Sequence, residues 1–295
     1  MRNLVVLGIV GLVAQLVDGA LGMAYGVTST TLLLAVGLTP ALASTVVHIS
    51  ETGTTLASGI SHWRFGNVDW SKVLWLAIPG AIGAVLGTYV LSSVLDAAVA
   101  EPIVAIFLFL LGGYVLFRFA FNRTANVVNN LPIPRTFLSP LGLVAGFLDA
   151  VGGGGWGPIS TPTLLSSGRM EPRKVVGTVD TSEFIVAFSA SIGFFFFLSY
   201  AGVPWGVVGA LLIGGLIAAP IAAWVVRHLN ARVLGTAVGG FILLVNAKTF
   251  LEAVGFNPEL NIIVYVAILA IWITALYFAY AAIRRERKPV LETQA

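Results

Sequence analysis

Asp149 to Pro158 reads DAVGGGGWGP and sits between two apolar runs. Four consecutive glycines, Gly152 to Gly155, cannot carry a continuous helix. Each gives up about 1 kcal/mol of helix propensity relative to alanine. Pro158 then removes a backbone donor and favours a new helix start. Both flanks are hydrophobic, so the interruption falls inside a membrane-embedded segment. Backbone without regular hydrogen bonds is tolerated at that depth only where protein buries it or it lines a cavity.

The same pattern occurs earlier. Asp18 to Gly26 reads DGALGMAYG, and a shift of 131 residues lays Asp18 on Asp149, Gly22 on Gly153, Tyr25 on Trp156 and Gly26 on Gly157. Ser29 and Thr30 fall on Ser160 and Thr161. One inserted residue later, at a shift of 132, Pro40 meets Pro172, and HISE (His48 to Glu51) meets DTSE (Asp180 to Glu183). Two copies of a broken apolar segment, each followed by a polar tetrad, point to a transporter built from internal repeats.

Composition agrees with a membrane setting. The chain has 295 residues, of which 58% are hydrophobic and 10% charged, against about 25% charged in soluble domains. Mean hydropathy is +0.96. A formal net charge of +3 could suggest nucleic acid, but no basic-aromatic interleaving accompanies it, and membrane orientation explains it better. The absence of cysteine excludes disulfides and thiolate metal sites. The apolar run Leu4 to Val17 resembles a signal peptide, yet its counterpart Phe137 to Leu148 lies mid-chain, so it is read as a retained segment.

Segments 3–18 and 23–37 are each shorter than the ~20 residues of a spanning helix, and together form a re-entrant hairpin. Full spans are expected at 40–61, 72–94 and 99–120. A polar connector, 122–135, separates this first repeat (1–121) from a second (136–255). The second repeat begins with a hairpin of 136–150 and 156–168 and continues with spans at 173–200, 204–227 and 231–253. An extra span at 259–283 and a polar tail, 284–295, end the chain. This arrangement puts fourteen of the 16 basic residues on one side, from Arg64 and Lys72 through Arg135 and Arg173 to the cluster Arg284–Lys288. By the positive-inside rule that side is cytoplasmic, with the N-terminus out and the C-terminus in. The fold expected is thus a single all-α polytopic domain of inverted repeats, with about seven full spans and two hairpins.

Ionisable residues within the expected spans are few: Asp18, His48, Glu51, Asp149, Asp180, Glu183 and Lys248. Each is costly in a bilayer, so a pathway or a partner is the default expectation. His48 and Glu51 are three apart and share a helical face, as do Asp180 and Glu183. These four are candidates for a substrate or proton role, His48 and Glu51 for substrate binding and all four for proton coupling, histidine titrating near neutral pH; a static buried pair is the alternative. Asp18 and Asp149 precede the breaks and are read as caps that order the loops. The second arms begin with exposed N–H groups near Gly26 and Gly157, which suit an anion. Ser29, Thr30, Ser160, Thr161 and Ser182 could add hydroxyls, Trp156 could wall the site, and Lys248 with Asn246 could meet the anion from 231–253. No Gly-x-Ser-x-Gly elbow, His-Glu-x-x-His or phosphate-binding lysine loop occurs, so an enzyme or ATP-driven pump is disfavoured and no cofactor or resident metal is expected.

The twofold Asp-x-x-x-Gly-x-x-aromatic-Gly break, the His-x-x-Glu and Asp-Thr-Ser-Glu tetrads, and the turn Gly66 to Trp70 (GNVDW) resemble the TauE/SafE sulfite exporter family. Where that family commonly shows Gly-Thr-Ser, this chain has Gly177-Thr178-Val179-Asp180. The resemblance implies a carrier in a bacterial or archaeal inner membrane that exports small sulfur-containing anions such as sulfite, sulfoacetate or other organosulfonates. It works by alternating access in a lipid bilayer, with no nucleic-acid partner and with a homodimer open as its assembly. Two rival classes are a cation/proton antiporter using the carboxylates as ligands, and an intramembrane enzyme using His48 with a serine.

Overall fold

The computed structural model describes residues 4–121, 132–167, 169–198, 202–225, 231–255 and 258–292. Most of the expected connector, 122–131, lies outside the described residues. The described residues form α-helices α1 (Leu4–Leu21), α2 (Tyr25–Ala35), α3 (Pro40–Arg64), α4 (Trp70–Tyr89, continued by a π-helical turn Val90–Val94), α5 (Ala97–Phe121), α6 (Arg135–Gly152), α7 (Trp156–Ser166), α8 (Pro172–Leu198), α9 (Trp205–Val225), α10 (Ala231–Ala253) and α11 (Pro258–Glu292).

Both expected breaks are present. α1 ends where Gly22 (φ 65°) turns left-handed and its N–H bonds Asp18 O at 2.6 Å; α6 ends where Gly153 (φ 65°) does the same to Asp149 O at 2.7 Å. Glycine tolerates that conformation without a Cβ clash. The arms match in length, 18 residues for α1 and α6 and 11 for α2 and α7. At 1.5 Å per residue the second arms reach only about 16 Å, half a bilayer core.

Neighbouring helices fix the directions. α1 and α3 both run parallel to α9, shown by Gly8 beside Ala210, Gly19 beside Ala222 and Gly53 beside Leu212. α6 and α8 both run parallel to α4, shown by Gly142 on Leu76, Gly146 on Gly80 and Gly193 on Thr88. α3 and α8 are antiparallel, with Gly59 against Thr181 and His48 against Phe194. α2 therefore turns back toward the face where α1 began, and α7 turns back toward the opposite face. Glycine at these crossings lets backbones meet, the usual device where lipid supplies no hydrophobic drive between helices.

Burial runs opposite to that of a soluble protein. Phe196 is 73% exposed and Ile273 65%, while His48 and Glu51 are 0% and 1% exposed. Apolar surface faces outward along α4, α5, α9 and α11, and polar groups converge on α1, α2, α3, α7 and α8. Among the described residues five helices are long and apolar enough to cross a membrane: Trp70–Val94, Ala98–Phe121, Arg173–Leu198, Trp205–Ala222 and Asn261–Ala282. Of the seven spans expected, the segment at α3 has the length, 25 residues, without the apolarity, and the segment at α10 contains a shorter apolar stretch, Gly235–Lys248. For α3 the cause is its polar inward face, which includes Ser44, His48, Glu51, Thr55 and Ser58. Two boundaries differ from expectation. α1 continues past Asp18 to Leu21, and α11 runs through 284–292, where a tail was expected. Arginine, glutamate and lysine end a membrane span but are good helix formers.

The basic face is built by caps. Asp69 accepts from Ser71 N at 3.1 Å at the start of α4 and pairs with Lys72, while Arg135 lies 4.5 Å over the Trp75 ring. Burial raises the Asp69 carboxyl, but the bonds from Lys72 and Ser71 outweigh it and hold it below its ordinary value. Its contribution to stability is therefore present above the usual aspartate range and lost as pH falls through the depressed value.

The break geometry makes a direct prediction. A Cβ on Gly154 (φ 155°) would lie 2.1 Å from Val27 N, whereas one on Gly209 meets nothing within 4 Å. Gly154→Ala should therefore destabilise the purified protein by about 1–3 kcal/mol or more through overpacking, read as a lowered melting temperature, and Gly209→Ala, inside α9, should not lower it.

Candidate functional site at the crossed helix breaks

The two breaks cross. A Cβ on Gly26 would lie 2.7 Å from Gly154 Cα, and one on Gly157 would lie 2.7 Å from Met23 Cα. Thr30 Oγ1 donates to Gly153 O, and Thr161 Oγ1 donates to Gly22 O at 2.6 Å. Each second arm thus holds the other break in place by the same bond. Trp156 and Tyr25 are fully buried behind the tips, where Trp156 Nε1 donates to Val179 O at 3.1 Å and the Tyr25 hydroxyl reaches Leu211 O at 3.5 Å.

Two trios of ionisable groups flank the crossing. The first joins His48 and Glu51 of α3 to Asp149 of α6, and the second joins Asp180 and Glu183 of α8 to Asp18 of α1. Within each trio one ligating atom per residue lies within 4.8 Å of the others. Each trio therefore takes its tetrad residues from one half of the chain and its aspartate from the other.

The first trio is partly satisfied. Asp149 Oδ1 accepts from Gly155 N at 2.6 Å and Trp156 N at 3.0 Å, which caps α7. Its Oδ2 takes His48 Nε2 at 3.0 Å. His48 Nδ1 faces Ser44 O at 2.8 Å. A carbonyl and an ionised carboxylate only accept, so the ring satisfies both when both nitrogens carry hydrogen. In that protonated form His48 and Asp149 are an ion pair, and both oxygens of Glu51 lack a protein partner.

The second trio has no such compensation. Asp18 interacts with the Tyr25 N–H, as Asp149 does with that of Trp156, but its Oδ2 has no partner. Asp180 meets the Ser58 hydroxyl and no basic group. The position matching His48 is a third carboxylate, Asp180. No lysine or arginine is buried among the described residues.

The remaining candidates divide. Ser29 and Ser160 are buried in the second arms beside the crossing. Ser182 Oγ bonds back to Val179 O at 2.7 Å within its own helix. Asn246 is buried and donates to Thr31 Oγ1 at 2.7 Å, whereas Lys248 stands on an exposed face of α10 rather than among the trios. Three buried polar residues beside the trios were missed: Ser44, Ser58 and Gln15. Helical spacing could have found two of them, since Ser44 is four before His48 and Gln15 is three before Asp18.

An apolar exterior, two broken apolar helix pairs and buried ionisable groups define a multi-pass membrane protein with a polar centre. The family model for the sulfite exporter TauE/SafE matches residues 7–249. A curated relative, the probable membrane transporter protein YtnM of Bacillus subtilis (strain 168), is 53% identical over 284 residues, covering 96% of this chain and 94% of its own. No solved structure matches the chain. The chain belongs to the TauE/SafE sulfite exporter family and is a membrane transporter.

Breaking a buried ion pair from one side typically costs about 3–5 kcal/mol. Asp149→Asn and His48→Gln should each destabilise the purified protein on that scale. The double variant should cost much less than the sum, because one pair is lost in all three. Additive losses in thermal or denaturant unfolding would mean the two side chains act separately.

Proposed function

We propose that the protein is a secondary transporter that exports small sulfur-containing anions, sulfite or organosulfonates, across a bacterial or archaeal cell membrane. It works by alternating access around the crossed breaks. The observation that carries this reading is the reciprocal crossing, in which Thr30 bonds Gly153 and Thr161 bonds Gly22. It supports two inverted repeats, 1–121 and 136–255, related by an axis through the tips, an architecture that places substrate between discontinuous helices. Rocking one repeat against the other would open the crossing to alternate faces.

The substrate class rests on the family's description. The first turns of α2 and α7 leave N–H groups unpaired within their own helices, and their positive dipole ends converge on the crossing. Ser29 and Ser160 lie in those same arms and would add hydroxyl donors. His48, when protonated, offsets the Asp149 carboxylate beside them.

A second reading, a cation/proton antiporter, is favoured by five buried carboxylates facing no buried lysine or arginine among the described residues. Reconstituted vesicles separate the two. Export predicts that vesicles loaded with sulfite or a sulfonate lose it at a rate that depends on protein and falls at least about tenfold in His48→Gln. Proton or sodium exchange that proceeds at full rate with no sulfur anion present, and no anion flux, would establish the antiporter instead.

A further inference from the structure

The geometry points to a binding site for a hard, oxygen-ligated cation at Asp18, Asp180, Glu183 and Ser58, distinct from the His48 trio. It rests on the transporter reading only in assigning this cation to coupling; the site itself stands on the geometry. Asp18, Asp180 and Glu183 are 2%, 1% and 6% exposed, and their ligating oxygens lie within 4.8 Å of one another. Three like charges so close cannot stand together in a protein interior without a countercharge. In the first trio a protonated His48 supplies one; here the corresponding residue is Asp180, and among the described residues no buried lysine or arginine replaces it.

Ser58 adds an independent observation. Its hydroxyl, on α3, is 1% exposed and is directed at the Asp180 carboxyl. Gln15 lies one helical turn before Asp18, is fully buried and has neither amide atom bonded. Its Nε2 and Ser58 Oγ both lie 3.9 Å from the Cβ position of Gly19, so Gln15 neighbours Ser58, which faces Asp180. Buried polar atoms left without partners mark a missing ligand or proton. Carboxylate, hydroxyl and amide oxygens, with no nitrogen or sulfur donor required, suit sodium, magnesium or calcium rather than a softer metal.

The role follows from charge. With the second trio ionised and empty, an anion entering the crossing meets unbalanced negative charge a few ångströms away. A bound cation removes much of that field, so cation and anion bind cooperatively and travel as a linked pair of events.

The test uses purified full-length protein with no sulfur anion present. Radiolabelled sodium and calcium are titrated in choline chloride at constant ionic strength, with magnesium as competitor, to identify which of the three binds. Saturable binding to the parent should weaken at least about tenfold in Asp180→Asn and about threefold or more in Ser58→Ala, and persist in Glu51→Gln. Asp180→His, which installs the residue of the matching position, should abolish binding while the protein remains monodisperse. No saturable binding by any of the three ions would overturn the proposal, as would binding lost in Glu51→Gln but kept in Asp180→Asn. Sulfite flux measured in parallel keeps the two readings apart. Flux without cation binding leaves the transporter standing and removes the site; cation binding without flux does the reverse.

Discussion

Interrupting a helix inside an apolar interior frees backbone N–H groups that have no water to turn to, and each needs an acceptor. At the second break the acceptor is Asp149, whose Oδ1 takes Gly155 N and Trp156 N. A carboxylate placed there for capping is also a buried charge. Its compensation, His48, comes from α3 in the other half of the chain. That requirement draws the halves together, and the crossing of Thr30 with Gly153 and of Thr161 with Gly22 follows from it.

The two breaks answer the same requirement with different electrostatics. At the first, Asp18 faces the Tyr25 N–H but meets Asp180 and Glu183 rather than an imidazole. Two unit charges 4 Å apart interact by roughly 4 kcal/mol at an effective dielectric of about 20. Repulsion of that size among the carboxylates is comparable with a large share of a domain's net stability. A polar centre held this way can change its occupancy of protons or ions while the apolar exterior keeps its contacts with lipid.

Much of the fold was legible because its determinants are local. Four glycines and a proline terminate α6 whatever surrounds them, and the repeat of Asp18 to Gly26 marks the second break from sequence spacing alone. The site was only half legible. Intrahelical spacing pairs His48 with Glu51, but the imidazole bonds Asp149, 101 residues away. An i, i+3 rule sees neighbours on one helix and is blind to an aspartate delivered by another. Lys248 shows the same limit: hydropathy places it inside an apolar run, yet only packing decides that its face of α10 is exposed. α3 was identified as a span from its length, and its polarity became intelligible once its Ser, Thr, His and Glu residues were seen to face the crossing.

The central claim is that the two hairpins enter from opposite faces and meet at their tips. The chain lacks cysteine, so single thiols report sidedness without background. Val36, at the end of the first hairpin, and Glu171, just beyond the second, are 45% exposed and exposed respectively. In intact cells a membrane-impermeant maleimide should label Val36→Cys and spare Glu171→Cys, and inside-out vesicles should reverse the pattern. Labelling of both thiols from the same face would contradict the account.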